Sequence, residues 1–143
     1  MRSRQEGLTR WLWMVAVLAL AACASSEGGG GTRTRVPVTE VKSVVGRWDG
    51  LVSGLSSLPS VDQDLLDIVI KADATYEAKA FRPVGAFRER GTIELKDGTL
   101  VFRATGGETA TGQLFAVNGR RVLDIETPAT DGRRVTARLS PRP

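Results

Sequence analysis

Residues 87–126 read FRERGTIELKDGTLVFRATGGETATGQLFAVNGRRVLDIE, and their punctuation decides the fold. Asp97-Gly98, Gly106-Gly107 and Asn118-Gly119 break up runs of alternating or apolar residues, and Asp131-Gly132 continues the series downstream. Successive pairs start nine, twelve and thirteen residues apart. Gly, Asn and Asp tolerate the positive φ angles that two-residue hairpin turns need, so each pair predicts a tight reversal between antiparallel strands. The segments between them, Thr92 to Lys96, Thr99 to Ala104, Thr111 to Val117, Arg121 to Glu126 and Arg134 to Leu139, have strand-like composition. Upstream, Arg47 to Val52, Leu65 to Lys71 and Thr75 to Phe81 read the same way. The β-branched Val69-Ile70 and the pair Thr75-Tyr76 argue against one long helix over residues 60–80. The expectation is an all-β domain of eight strands in an up-and-down antiparallel meander.

Such a meander leaves an unpaired edge at each end unless it closes on itself, which favours a barrel over a sandwich. The wall pattern is clearest where Phe87, Glu89, Gly91, Ile93 and Leu95 alternate with Arg88, Arg90, Thr92, Glu94 and Lys96. Val135, Ala137 and Leu139 likewise alternate with Arg134, Thr136 and Arg138. Because successive turns alternate between the two ends, the loops around residues 53–63, 82–86, 106–107 and 128–132 share one end. The tight turns at 73–74, 97–98 and 118–119 share the other with Trp48. One end is thus closed, and the other carries a long Ser/Gly-rich flap where a ligand would enter a small barrel. Inward candidates include the small residues Ala78, Ala80, Gly91, Ala104 and Ala137 beside Tyr76, Phe87, Ile93 and Phe102. Either the small residues leave room for an apolar ligand, or they admit Trp48, Phe102 and the facing leucines and the barrel is solid. Glu89 is the odd residue of the inward set: buried, it needs an arginine or a ligand cation as partner, and at the rim it is solvated.

The first 22 residues carry a separate message. Arg2, Arg4 and Arg10 stand against Glu6, and the apolar run Trp11 to Leu20 is too short to cross a bilayer core as a helix, so the segment reads as a signal peptide. Leu20-Ala21-Ala22-Cys23 then resembles the lipobox of bacterial lipoproteins. The resemblance implies a diacylglyceryl group on the Cys23 thiol, cleavage before it, and acylation of the freed amine by a chain such as palmitate. Two or three chains would hold the protein on a membrane almost permanently. Ala24 to Glu40, with Ser25, Ser26 and Gly28 to Gly31, reads as a flexible tether spanning roughly 20–25 Å. Ala24 after the lipidated cysteine further implies the outer membrane, facing the periplasm, in a cell with two membranes. The expected organisation is a signal peptide at 1–22, lipidated Cys23 and a Gly/Ser-rich linker at 23–40, and one barrel domain at 41–143.

Cleavage before Cys23 removes three of the 20 basic and one of the 16 acidic residues, leaving 17 against 15, a net charge of +2. The remaining basic residues are scattered, and Trp48, Tyr76, Phe81, Phe87, Phe102 and Phe115 form no stacking platform, so nucleic acid is not an expected partner. The 143-residue chain has no histidine, and its one cysteine is the one that the lipobox resemblance assigns to lipid. Cys/His metal sites, thiolate catalysis and imidazole bases are therefore unavailable, and neither a metal, a cofactor nor an enzymatic activity is expected. Asp62, Asp64 and Asp67 lack the glycine and distant glutamate of a calcium loop and read as part of a solvated flap. Asp124 and Glu126 alternate with Leu123 and Ile125 and read as an outward face. Arg120-Arg121 and Arg133-Arg134 fall at opposite ends of the barrel, so they do not make one anion site.

Gly46-Arg47-Trp48, opening the first strand of a meander that ends near Arg138, resembles the glycine-X-tryptophan signature of lipocalin-like barrels. In that family the tryptophan sits at the closed end and a late arginine packs over it, and the resemblance gives those places to Trp48 and Arg138. Two functions follow. In one, the barrel of an envelope lipoprotein binds a small apolar or amphipathic molecule, with Tyr76, Phe87, Glu89 and Phe102 as contacts. In the other, the barrel is solid and serves as an inhibitor or envelope-assembly module that binds another envelope protein, anchored by Leu55 and Leu58 in the flap.

Overall fold

A computed structural model of the protein describes residues 32–55, 63–82, 85–128 and 134–143. The signal peptide, Cys23, Leu58, Asp62 and the Asp131-Gly132 turn lie outside the described residues. The described residues form nine strands: β1 (Arg33–Val36), β2 (Gly46–Ser53), β3 (Gln63–Ile70), β4 (Thr75–Arg82), β5 (Gly85–Lys96), β6 (Thr99–Ala104), β7 (Thr109–Val117), β8 (Arg120–Pro128) and β9 (Arg134–Arg142). The eight expected strands are β2 to β9, each antiparallel to its sequence neighbour. The sheet closes where β2 pairs with β9, from Arg47 opposite Arg142 to Ser53 opposite Thr136. The turns obey the chemistry that announced them: φ is 50° at Asp97 and 74° at Gly98, and 50° at Asn118 and 76° at Gly119.

Closing eight strands needs sharp bends, and two glycines supply them. A Cβ on Gly50 would lie 2.0 Å from the Arg138 carbonyl oxygen, and one on Gly91 would lie 1.9 Å from that of Arg103. Neither site can hold a side chain without moving backbone, which marks them as bends in β2 and β5.

β1 corrects the expectation of a tether running to Glu40. Arg33 to Val36 pair with Val117 to Leu114 along the same edge of β7 whose other half, Gly112 to Thr109, is taken by β6. β1 therefore continues the line of β6, and its arginines fasten it to the outer wall. Arg33 bonds Asp124 and covers the Phe115 ring at 3.8 Å, and Arg35 donates to the Thr99 hydroxyl at 2.9 Å. The chain then crosses the closed end, where the Val38 amide donates to the Gly98 carbonyl and Val38 is buried. One 3-10 turn, Val41–Val44, leads into β2.

That crossing seals the barrel. Trp48 is 1% exposed, and its indole N–H donates to the Val44 carbonyl at 2.9 Å, so the one polar atom of the ring is satisfied from the plug itself. With Ile70, Leu100, Leu123, Leu139 and Val44 it makes up the largest fully buried side chains. Gly31–Pro143 is thus a compact unit with its own core and a closed sheet, sufficient to fold by itself.

The arginine over Trp48 is Arg121, not Arg138. The Arg121 guanidinium lies 5.4 Å from the Trp48 ring centroid and donates to the Ser43 carbonyl, tying β8 to the plug. Arg138 stands opposite Leu51 on the outer face of β9, where its Nε lies 3.1 Å from Asp124 Oδ1. The reason is parity: Ala137 and Leu139 point inward, so the residue between them points out. In Gly31–Pro143 Trp48 is the sole tryptophan, so its fluorescence tests the assignment. Arg121→Ala is expected to shift Trp48 emission to the red and to cost about 0.5–1 kcal/mol, whereas Arg138→Ala leaves emission unchanged. The reverse pattern would restore Arg138 to the closed end.

Candidate functional site

The interior is filled at one end only. Above the layer of Trp48, Ile70, Leu100, Leu123 and Leu139 lies a cavity of about 470 Å³, within the range of small-molecule pockets. None of those five side chains lines it. Its wall is built instead from Val52, Leu66 and Ile68 on β2 and β3, and from short residues, Ala78 and Ala80 on β4, Ala110 on β7 and Ala137 on β9. The solid and hollow readings of the sequence therefore each describe one half of the barrel.

Tyr76 and Phe102 lie between the two halves. Their rings meet edge to face, 5.2 Å between centroids at 84°. Gly112 makes this possible, because a Cβ there would sit 2.7 Å from the Phe102 ring. The Tyr76 hydroxyl donates to Glu89 Oε1 at 2.6 Å, one pleat up β5 toward the mouth. Burial first, then this hydrogen bond, then the negative charges of Glu89 and Glu108, push the Tyr76 phenol up from its ordinary range, since each disfavours the phenolate.

All four contacts chosen from the sequence, Tyr76, Phe87, Glu89 and Phe102, line this cavity. Phe87 is 40% exposed and stands toward the rim. Sequence reasoning missed Glu108, which reaches the cavity from the loop after β6; the alternation of turns had already placed that loop at the open end. Leu55 was expected on the outside as a protein anchor and is instead packed against the core and part of the cavity lining. Leu55 turns inward because an apolar side chain loses more water against the core than on the surface.

Other sequence signals resolve as structure. Asp124 bonds Arg33 and Arg138 on the outer wall, and Glu126 lies 3.7 Å from Arg134. Asp67 holds Arg47 at 2.7 Å. Asp64 departs from its reading as part of a solvated flap: it belongs to β3, takes an inward position and is buried. Among the described residues no three His, Cys, Asp or Glu side chains are grouped to hold a metal ion. The outer wall also shows an unexpected apolar stripe, Leu51, Leu65 and Phe81, joined in register as direct cross-strand neighbours and 46%, 59% and 57% exposed. No family model matches the chain, and no curated protein matches it.

Tyr76 is the sole tyrosine of the chain, so its titration reports on the cavity. Its folded pKa lies above the unfolded one, so the stability linked to it is full below about pH 10 and falls as pH rises beyond that. Followed by phenolate absorbance, Tyr76 is expected to stay protonated where free tyrosine ionises, and Glu89→Gln to bring the transition down. Ordinary ionisation in the folded protein would contradict the hydrogen bond to Glu89.

Proposed function

We propose that this barrel binds a small apolar or amphipathic molecule, held above the Tyr76–Phe102 pair and entering at the end that carries Phe87 and Glu108. The observation that carries this reading is the cavity itself: about 470 Å³ of space in a barrel whose other half is packed tight. An interior selected only for stability would fill that space, because voids forfeit dispersion contacts and destabilise in proportion to their volume. The resemblance of Gly46-Arg47-Trp48 to the lipocalin signature supports the same reading, although the arginine over the tryptophan comes from a different strand.

The binding domain is further proposed to ride on a membrane. Leu20-Ala21-Ala22-Cys23 supports diacylglyceryl attachment at Cys23, and Ala24 supports an outer-membrane position facing the periplasm. With β1 starting at Arg33, the proposed tether from a lipidated Cys23 would be shorter than the sequence suggested. The ligand would accordingly be taken up close to a lipid surface. A second reading, an interaction module for another envelope protein, draws on the exposed stripe Leu51, Leu65 and Phe81.

An environment-sensitive apolar dye titrated into Gly31–Pro143 separates the readings. Saturable binding is expected, reduced about tenfold or more by Ala80→Phe, which fills the cavity while circular dichroism reports an intact barrel. Absence of saturable binding with the barrel intact would move the function to the outer stripe. In cells, radiolabelled palmitate is expected to enter the full chain and to be lost in Cys23→Ser; labelling that persists would remove the anchor from the account.

A further inference from the structure

The charged side chains among the described residues that line the cavity are all acidic. They are Glu89 and Glu108, and neither lysine nor arginine is present among those residues. This is unexpected in a chain with 20 basic and 16 acidic residues. The described arginines and lysines with ion pairs lie on the outer wall: Arg33 and Arg138 meet Asp124, Arg47 meets Asp67, Lys71 meets Glu77, and Arg103 meets Glu94.

The hydroxyls tell the same story. Tyr76 and Thr127 line the cavity, and each has a single O–H. Tyr76 gives its proton to Glu89 and Thr127 gives its own to the Thr109 carbonyl, at 2.6 Å and 2.9 Å. The described lining side chains thus offer lone pairs and negative charge to a ligand, with both hydroxyl protons already committed. An anionic head such as a carboxylate would meet two carboxylates and, among the described lining side chains, no lysine or arginine. An ammonium head would meet acceptors on Glu89 and Glu108, with the Phe87 ring also lining the cavity.

Resting on the binding function proposed above, we propose that the cavity selects apolar molecules bearing a cationic head, an alkylamine or quaternary ammonium compound, over fatty acids and neutral alcohols. The tail lies among Leu66, Ala80 and Phe102, and the head sits between Glu89 and Glu108. The carboxylates act as the counter-charge, and no covalent step is involved.

Dodecylammonium, dodecanol and dodecanoate, each below its aggregation concentration, test this by calorimetric titration into Gly31–Pro143. Dodecylammonium is expected to bind at least about tenfold more tightly than dodecanoate, with dodecanol between them. Glu89→Gln combined with Glu108→Gln is expected to abolish the preference while retaining dodecanol binding. Glu108→Gln alone, at an exposed loop position, should weaken the preference without touching the fold. Equal binding of the three overturns the charge selection and leaves the cavity function standing, and tighter binding of dodecanoate overturns it outright. Failure of all three to bind removes both. A preference that survives in the double variant, with circular dichroism showing an intact barrel, would remove Glu89 and Glu108 from the selection.

Discussion

The seam between β2 and β9 is the constraint on which the rest of this molecule depends. It joins strands at opposite ends of the meander through seven residue pairs, and without it the sheet would keep two long edges with unpaired amides and carbonyls. Closing it forces strong bending, which Gly50 and Gly91 accommodate by letting neighbouring carbonyls approach where a Cβ would collide. Once closed, inward and outward positions are fixed along every strand by the pleat. Most of the charged side chains are then committed to the wall, with Asp64 and Glu89 as inward exceptions, and the alanines, Trp48, Tyr76 and Phe102 to the interior.

Side-chain size along the barrel axis decides what the interior does. At the closed end Trp48, Ile70, Leu100, Leu123 and Leu139 meet beneath the Val41–Val44 turn. Each of these side chains contributes about 1.5–3 kcal/mol by leaving water. Toward the mouth the same inward positions carry Ala78, Ala80, Ala110 and Ala137, which cannot meet across the barrel. Stability is concentrated at one end, which lets the other remain hollow. Tyr76 links the two, packed against Phe102 below and bonded to Glu89 above.

The barrel was legible because its signals are local. Asp-Gly and Asn-Gly pairs demand hairpins, and the alternation from Phe87 to Leu95 names the inward face. The same alternation placed Tyr76, Phe87, Glu89 and Phe102 inside. β1 was not legible, since Arg33-Thr34-Arg35-Val36 has no buried face to announce it; it is held by backbone pairing to β7 and by arginines reaching partners 91 and 64 residues away. Arg138 was misassigned because its position near the C-terminus outweighed its parity, while Arg121 acts from just beyond the Asn118-Gly119 turn. Whether the interior is hollow depends on how eight strands share their volumes across the barrel, and no single segment records that sum. The outer stripe escaped notice for a similar reason: Leu51, Leu65 and Phe81 become neighbours only when three strands fall into register.

The central claim is that the open half of the barrel is apolar space bounded below by Tyr76 and Phe102. A crystal of Gly31–Pro143 pressurised with xenon tests it directly, because xenon settles in dry apolar cavities. The account predicts xenon density among Leu66, Ala80 and Phe102, with Trp48 and its neighbours undisturbed below. A barrel in which side chains from the mouth have collapsed onto Phe102, leaving no xenon site, would contradict it.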